Sequence, residues 1–429
     1  MEGNQHLIHT NKRKSERRPH TLFRSIVGER IMSETLISLS VVLIVAFLLN
    51  IIFKKAGFSS IVGQILAGMI LGIPTLKAFL FSSESFIALD LLSTFGIVFL
   101  LFLAGLEIDI QKVMETSKDS ALIALGTTLT PLTLGFAFLI AMRYNAMVAI
   151  VFGGSLAVTA GGTIVGVLMD LNACNTKLGA IFVAAGTIDD ILEIILLSLI
   201  VMLIHGSLVQ MVLLPFQLLA FVAVSFALFK IMSKILYYFK KNGDNVELFS
   251  IVIILVITMA ALSEILEIGY LIGAIMAGFL LQVSMKRIGR KSENEIVKTT
   301  RLITLAFVVP FFFVNIGLNF DIGLLFANLG LTIAAVIIAI GGAIIGALLI
   351  KPVSNLSLRQ LYIVGWAMSS KGSVELVIAL LARKYGLIPP DIFSALVAMA
   401  IITTLVFPFV LAREIRKKPS LMNFVPIRK

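Results

Sequence analysis

Three carboxylates lie within about one helical turn of one another in a long apolar segment of the sequence. Asp189 and Asp190 are adjacent near the centre of the apolar run 177–205, and Glu193 follows them closely enough to share a helix face with either. An ionisable group in the middle of a membrane-spanning helix is costly, so a functional role is favoured over a structural one. Neighbouring helical positions point about 100° apart, so one aspartate can face a cavity while the other faces protein. Glu193 is interpreted either as a third ionisable group of the site or as a hydrogen-bonded neighbour.

A buried pair of carboxylates is suited to the reversible binding of protons and small hard cations. Burial disfavours the charged form of a carboxyl group, and a neighbouring negative charge disfavours it further. The ionised form offers hard oxygen ligands to a cation such as Na⁺. Protons and cations therefore compete for the same oxygens, and the two acids titrate as a pair.

Two other apolar segments contain residues that weaken a helix at membrane depth. The first segment contains Thr159, Ala160, Gly161, Gly162 and Thr163, and the second contains Ser370, Lys371, Gly372 and Glu375. Because irregular backbone at this depth must be buried in protein or line a cavity, we predict two broken helices that cross beside the aspartate pair. Helix ends carry about half an elementary charge, so Lys371 is expected at a negative end and Glu375 at a positive one. The alternatives are a small-residue packing face for the first segment and a mutual ion pair without a transport role for Lys371 and Glu375.

The elements that must position these residues are membrane helices, because the sequence is too apolar for a water-soluble protein. It has 429 residues, of which 59% are hydrophobic and 14% charged, and its mean hydropathy is +1.05. With about 20 apolar residues for each crossing, the sequence contains thirteen predicted spans: 34–53, 58–80, 87–108, 120–141, 146–169, 177–205, 208–236, 247–266, 268–285, 302–319, 324–351, 357–383 and 391–412. The predicted fold class is an all-α polytopic membrane protein, with no soluble domain in any connection.

Several other classes of protein are not supported by the residues present. The single cysteine, Cys174, allows no internal disulfide, and three of the four histidines lie in the N-terminal tail, so we expect no metal-ligand cluster. The sequence contains no nucleophile–base set, phosphate-binding loop or cofactor motif. We therefore expect neither an enzyme nor a bound cofactor.

Membrane topology, rather than nucleic-acid binding, accounts for the excess of Lys and Arg. The chain has 35 Lys and Arg against 24 Asp and Glu, a net charge of +11. Of these cations, 23 lie at the connections after odd-numbered spans and 4 at those after even-numbered spans. The rule that cytoplasmic loops are rich in Lys and Arg assigns the first set, with the basic tail 413–429, to the cytoplasm.

The basic N-terminal tail, residues 1–33, conflicts with this topology. An odd number of spans places it outside, although it carries seven of the Lys and Arg residues. Three explanations of this conflict are considered. Residues 1–31 could be a non-native extension before a natural start at Met32, the first span could be miscounted, or the segment could be a signal peptide. The signal peptide is disfavoured because the apolar run has the length of a full span and no small-residue cleavage site follows it. A retained tail of this composition is expected to be disordered.

The sequence also repeats itself at an offset near 212 residues. The paired segments are 105–110 with 317–322, 65–68 with 275–278, and 183–190 with 397–404. Their common order predicts two six-helix repeats, 34–205 and 245–412, joined by a linker helix within 206–240. Because the linker adds one crossing, the second repeat enters the membrane from the opposite side, which is the inverted-repeat architecture of many secondary transporters.

Taken together, these motifs resemble those of one transporter family. They are Gly63-Gln64-Ile65-Leu66-Ala67-Gly68-Met69-Ile70-Leu71-Gly72, Leu101-Phe102-Leu103-Ala104-Gly105-Leu106-Glu107, Ile188-Asp189-Asp190-Ile191-Leu192, Ile272-Gly273-Ala274, Val309-Pro310-Phe311-Phe312-Phe313, Lys371-Gly372 and Thr403-Thr404. In this order, over residues 34–412, the chain resembles the monovalent cation:proton antiporter-2 family. That family includes Na⁺/H⁺ antiporters and the membrane part of Kef-type K⁺/H⁺ antiporters.

The resemblance implies a homodimer that works by an elevator-like movement. Spans 4–6 and 11–13 would move, and most of the remaining spans would form the dimer scaffold. It also implies that Asp190 binds Na⁺ and exchanges protons, with Asp189 beside it and with oxygen supplied by Thr159. The implied location is a prokaryotic cell membrane, with the lipid bilayer as partner and pH homeostasis as the physiological role.

Two departures from the family pattern put the proton stoichiometry in question. Many members with an aspartate pair carry a lysine on span 11, and the corresponding position here is Ala343. The second broken segment often reads Arg-Gly-Glu in the family, whereas this chain has Lys371-Gly372-Ser373 and a glutamate only at position 375. One hypothesis is that Glu193 replaces the missing lysine as a titrating group.

The leading functional hypothesis is a secondary active antiporter that exchanges Na⁺ or Li⁺ for H⁺ by alternating access. The first alternative is K⁺/H⁺ exchange, against which the absence of a nucleotide-binding domain from this chain argues mildly. The second alternative is a non-transporting membrane sensor or a channel-like uniporter in which the acids structure a pore.

Overall fold

The computed structural model describes most of the chain. The described residues are 19–56, 58–107, 118–171, 173, 176–205, 208–242, 245–266, 268–285 and 290–422. Predictions that concern residues 1–18 of the N-terminal tail, residues 206–207 of the linker and residues 423–429 of the C-terminal tail lie outside this set.

The described residues fold into α-helices joined by short turns. In chain order the helices are α1 (Pro19–Lys55), α2 (Ser60–Leu71), α3 (Pro74–Leu80), α4 (Ser83–Glu107), α5 (Lys118–Ala141), α6 (Ala146–Ala157), α7 (Gly161–Asp170), α8 (Lys177–His205), α9 (Leu208–Asn242), α10 (Asn245–Ile265), α11 (Tyr270–Met285), α12 (Arg290–Ile303), α13 (Val309–Leu318), α14 (Ile322–Ala327), α15 (Leu329–Leu349), α16 (Leu358–Ala367), α17 (Val374–Lys384) and α18 (Pro390–Lys417). This all-helical fold agrees with the predicted class.

Seven of the described helical stretches are long and apolar enough to cross a membrane. The count rises to eight if α2 and α3, which are bent by 85° relative to each other, form one span. Several predicted spans are not included in this count, because a turn divides each of them into two helices that are individually too short to cross a membrane. The helix pairs α6–α7 and α16–α17 are the clearest examples.

One predicted connection is largely helical instead. The predicted spans 268–285 and 302–319 leave residues 286–301 as a polar connection, but α12 begins at Arg290 and continues through this segment. A π-helical turn, Thr304–Val308, then joins α12 to α13. The apolar-run criterion missed α12 because it detects hydrophobic length, whereas α12 is a polar, amphipathic helix.

The helices that pack closely against one another fall into two groups. The flanking group contains α1–α4 and α9–α13, and the crossing group contains α5–α8 and α14–α18. Each closely packed helix pair in the described chain joins two members of the same group. Apolar side chains of both groups meet in one continuous cluster, which fills much of the boundary between them. The crossing group comprises the spans that the resemblance assigns to the moving part, and the flanking group comprises the remaining spans.

Glycines bring the flanking helices into backbone contact at two places. A Cβ atom added at Gly68 would overlap the carbonyl oxygen of Val314, and one added at Gly317 would overlap that of Ile65. These contacts join α2 to α13.

The helices α4 and α11 approach each other in the same way. A Cβ atom added at Gly105 would overlap the carbonyl oxygen of Ile275, and one added at Gly278 would overlap that of Phe102. Such small-residue contacts let membrane helices pack backbone to backbone.

Candidate functional site

The first predicted helix break lies between α6 and α7. Helix α6 begins after Asn145, whose side-chain oxygen accepts a hydrogen bond from the backbone of Val148 at 2.8 Å, and it ends at Ala157. Val158 is extended, with φ −60° and ψ 139°, and α7 starts at Gly161. Glycine and threonine at this point weaken the helix, as the sequence predicted.

The second predicted break lies between α16 and α17. Helix α16 begins with a capping box in which Ser357 and Gln360 each bond the other's backbone N–H, and it ends at Ala367. The next helix begins at Val374 after the N-cap Ser373. Both interruptions expected from the sequence are therefore present.

Hydrogen bonds between the two breaks hold them together. The backbone N–H of Ala160 donates to the carbonyl oxygen of Ser370 at 2.8 Å. The hydroxyl of Thr159 donates to the carbonyl oxygen of Met368 at 3.0 Å, and the hydroxyls of Thr163 and Ser370 are hydrogen-bonded to each other. The exposed backbone groups of one break thus bind groups of the other, which satisfies them at membrane depth.

Glycine is required where the two breaks cross. A Cβ atom added at Gly372 would lie 2.5 Å from the Cβ of Ala160, well inside the normal contact distance. The crossing therefore leaves no room for a side chain at residue 372.

Lys371 is completely buried and binds the C-terminal end of α6. Its ammonium donates to the carbonyl oxygens of Val158 at 2.7 Å and Ala157 at 3.5 Å. This is the negative end of a helix, where a cation is favourable. None of the ion pairs found among the described residues joins Lys371 to Glu375, so the alternative of a mutual ion pair is not supported. The hydroxyl of Thr404 donates to the Lys371 carbonyl at 2.8 Å.

The two aspartates on α8 have different surroundings. Asp189 is buried, with 1% of its surface exposed, and its Oδ1 atom accepts a hydrogen bond from the hydroxyl of Thr128 on α5. Its Oδ2 atom has no hydrogen-bond partner, although Thr159 lies near enough to interact with the carboxylate. Asp190 is partly exposed and lines a cavity. The pair is thus divided between protein and cavity.

The cavity has a volume of about 370 Å³ and lies between the two helix groups. Its polar wall comes from the crossing group and includes Thr159, Thr163, Asp190, Glu193 and Glu375. Its other wall comes from the flanking group and is mainly apolar. Those side chains are Ile61, Leu100, Leu101, Leu103, Ala104, Ile275 and Leu305, together with Arg301.

Glu193 and Glu375 are buried acids in the cavity wall. Glu193 is 8% exposed and Glu375 is 1% exposed. Glu375 lies in the first turn of α17, at the positive end of that helix. Within the described chain, no three acidic, histidine or cysteine side chains converge on a point where they could hold one metal ion.

A sequence model of the sodium/hydrogen exchanger transmembrane family matches residues 41–416 of this chain. The chain belongs to this family. Its matched region contains both broken helices, both aspartates and the cavity, so the candidate site lies within the part that defines the sodium/hydrogen exchanger family.

Relatives with functional names extend the comparison. A Na⁺/H⁺ antiporter of Enterococcus hirae is 28% identical over 364 residues, covering 84% of this chain and 92% of the relative. The Na⁺/H⁺-K⁺ antiporter GerN of Bacillus cereus is 26% identical over 370 residues, covering 86% of this chain and 93% of GerN. These relatives are transporters, which agrees with the expectation that the chain is not an enzyme.

A solved structure has the same fold. The sodium proton antiporter MjNhaP1 of Methanocaldococcus jannaschii superposes with a TM-score of 0.65 at 18% identity, and the match covers 91% of this chain and 98% of MjNhaP1. At this identity the likeness concerns the fold of the exchanger family alone.

The structure places the predicted site residues in two sets. Some line the cavity: Asp190, Thr159, Glu193, Ala160, Thr163, Gly372 and Glu375. Others support the crossing from behind: Asp189, Ser370 and Lys371. Gly161 and Gly162 form the start of α7. Ala343, where many members with an aspartate pair carry a lysine, is fully buried in α15 and is absent from the cavity wall.

Two residues of the site were missed in the sequence. Thr128 binds Asp189 from another helix, and its only sequence signal is the hydroxyl pair Thr127-Thr128 within an apolar span. Arg301 lines the cavity, but its position in a basic connection suggested only a topological role.

Proposed function

We propose that this chain is a secondary active antiporter that exchanges Na⁺ or Li⁺ for H⁺ by alternating access. Asp190 is the main cation and proton ligand, with Asp189 and Thr159 beside it. Its relatives named as Na⁺/H⁺ antiporters support the choice of cation. Competition between the cation and the proton for the same carboxylate couples the two movements.

The observation that carries the proposal is the position of Asp190. Its carboxylate faces a cavity at the boundary between two separately packed helix groups, at the point where both broken helices cross. A rigid-body shift of one group against the other would change which side of the membrane reaches this carboxylate. Broken helices beside the ion site are typical of secondary transporters.

The cavity lies toward the side of the membrane that we assign to the cytoplasm. Its lining residues include residues near the start of α2, residues near the end of α4, and Arg301. The connections at these three places belong to the set rich in Lys and Arg, which we assign to the cytoplasm. We infer that this conformation faces the cytoplasm and that the C-terminal tail 413–429 is cytoplasmic. The cell membrane of a prokaryote, with lipid around a homodimer, remains the proposed setting.

We also infer thirteen spans arranged as two inverted repeats, 34–205 and 245–412, with a linker helix between them. The glycine contacts support this arrangement. Gly68 of the first repeat meets Val314, and Gly278 of the second meets Phe102, which are corresponding positions at offsets of 210 and 212. The offsets therefore map each contact onto the other. This relation is expected when a pseudo-two-fold axis in the membrane plane relates the two repeats.

Potassium is the second candidate cation. The relative GerN is named a Na⁺/H⁺-K⁺ antiporter, and Na⁺ and K⁺ use the same type of oxygen ligand. Exchange measured with Na⁺, Li⁺ and K⁺ separately, across a range of pH, distinguishes the two candidates.

Everted membrane vesicles from cells without their own antiporters test the proposal. Addition of Na⁺ should dissipate a preformed proton gradient, and Asp190→Asn should reduce this activity to the vesicle background because it removes the charged ligand without changing its size. Glu84→Gln is the matched control, since Glu84 is exposed in the first turn of α4, away from the cavity. Normal exchange by a folded Asp190→Asn protein would overturn the assignment of the site.

A further inference from the structure

Two carboxylates in the cavity wall have oxygens without hydrogen-bond partners. Both side-chain oxygens of Glu375 and the Oε1 atom of Glu193 are buried without a hydrogen bond of normal geometry, although the backbone N–H groups of Gly372 and Glu375 lie near the Glu375 carboxylate. The two residues lie near enough for their charges to interact, and both line the cavity that contains Asp190. Because buried polar atoms are nearly always paired in folded proteins, three such oxygens in one wall require an explanation.

The nearest cation of the protein does not satisfy these oxygens. Lys371 interacts electrostatically with both glutamates, but its ammonium donates to the carbonyl oxygens at the end of α6. Those bonds hold the break in place, so the lysine supplies charge to the glutamates without supplying a ligand. The Oε1 atom of Glu193 and the two carboxylate oxygens of Glu375 are therefore the candidate ligands of a bound ion.

The charge and the donor atoms indicate the kind of ion. Carboxylate oxygens are hard ligands, which suit alkali and alkaline-earth cations. Two glutamates carry two negative charges when ionised, and the buried Lys371 interacts with both of them and with Asp189. The choice of a monovalent rather than a divalent cation follows from the proposed function, in which Na⁺ or Li⁺ reaches the same cavity. The positive end of α17 favours the ionised form of Glu375.

We propose that Glu193 and Glu375 form a second cation-binding subsite, which takes a monovalent alkali cation and is separate from the subsite of Asp190. Glu375 lies on α17, whereas Asp190 lies on α8, so the proposed subsite takes one of its ligands from a different helix. The two subsites share one cavity and interact, since Asp190 and Glu193 repel each other when both are charged. This inference rests on the proposed transport of monovalent cations.

Equilibrium binding of ²²Na⁺ to purified protein tests the subsite independently of transport. In the Asp190→Asn protein, saturable ²²Na⁺ binding should persist. Adding Glu193→Gln or Glu375→Gln in that background should weaken the remaining binding about tenfold or more, as expected when a charged ligand is lost. Adding Glu84→Gln instead should leave it unchanged. Size-exclusion chromatography checks that each variant is folded.

Loss of all saturable binding in a folded Asp190→Asn protein would overturn the proposal, as would residual binding that neither glutamate substitution changes. If a glutamine variant does not fold, the anomalous signal of Tl⁺ in crystals of Asp190→Asn decides. A peak beside the glutamates supports the subsite, and its absence refutes it. Vesicle exchange by the unsubstituted protein tests the proposed function separately, so failure of either idea leaves the other measurable.

Discussion

The molecule contains two kinds of helix interface. Within the flanking group, α2 meets α13 and α4 meets α11 through glycines whose backbones touch, with no space for a Cβ atom. Between the flanking and crossing groups, the contact is looser. A cavity of about 370 Å³ lies on one side, and on the other side an ion pair joins Asp90 of α4 to Lys384 of α17.

This difference indicates which parts can move against each other. A backbone contact through glycine fixes the relative position of two helices. If one helix slid along the other by less than one residue, its carbonyl groups would clash with Cα atoms of its neighbour. An interface of apolar side chains, a cavity and a half-exposed ion pair has no such constraint. The flanking group is therefore expected to behave as one rigid body and the boundary between the groups as the place of movement.

The largest effect should come from adding bulk to the rigid interface. In Gly317→Val, the new side chain would overlap the carbonyl oxygen of Ile65, and its Cβ would lie 2.7 Å from the Cα of Gly68. Overpacking costs about 1–3 kcal/mol where side chains can adjust, and more where the neighbour is backbone. The folded peak in size-exclusion chromatography should shrink strongly or disappear after mild heating.

Gly341→Val is the matched control for this prediction. An added Cβ at Gly341, on α15, would meet no atom within 4 Å, so the heated protein should elute like the unsubstituted one. Equal thermal stability of the two variants would contradict the assignment of α2–α13 as a rigid contact.

A covalent link between the groups should abolish transport without unfolding the protein. The rings of Phe58 and Phe409 lie 5.7 Å apart across the boundary. In Phe58→Cys with Phe409→Cys, prepared in a Cys174→Ser background, a short bifunctional thiol reagent with a cleavable disulfide should stop exchange, and a reductant should restore it. The physical reason is that alternating access requires the crossing group to move against the flanking group.

The control link lies inside the flanking group. The hydroxyls of Ser38 on α1 and Ser85 on α4 are 3.3 Å apart, so the same reagent should join cysteines placed there. That link should leave exchange intact. Equal inhibition by both links would argue against movement between the two groups.

Much of the site could be predicted because its chemistry is local in sequence. Asp189 and Asp190 stand out as charges in an apolar run, and both breaks follow from small and polar residues within helices. The different orientations of the two aspartates follow from helical geometry alone.

Contacts between distant segments could not be predicted in this way. The bond from Thr128 to Asp189 and the bonds from Lys371 to the end of α6 depend on how helices pack. Lys371 was expected at a negative helix end, but the sequence does not specify which helix supplies it. The polar helix α12 was missed because membrane spans were located by hydrophobic length.

The smallest effect should come from the ion pair that joins the groups on the side opposite the cavity. The ammonium of Lys384 lies 2.7 Å from Oδ2 of Asp90, and the two side chains are 46% and 49% exposed. An exposed pair contributes up to about 1 kcal/mol, which corresponds to about a fivefold change in an equilibrium. Lys384→Gln should therefore favour the opposite-facing conformation and change the apparent affinity for Na⁺ by no more than about that factor.

Salt dependence and a charge swap test the origin of this effect. Screening at high ionic strength should make Lys384→Gln and the unsubstituted protein behave alike, and the double swap Asp90→Lys with Lys384→Asp should restore much of the original affinity. Lys417→Gln is the control, because Lys417 pairs with Glu414 on the same helix at 2.9 Å and does not join the groups. A change much larger than fivefold, or one that persists at high salt, would mean that Lys384 contacts the transported ion directly, in which case the side opposite the cavity would belong to the transport pathway.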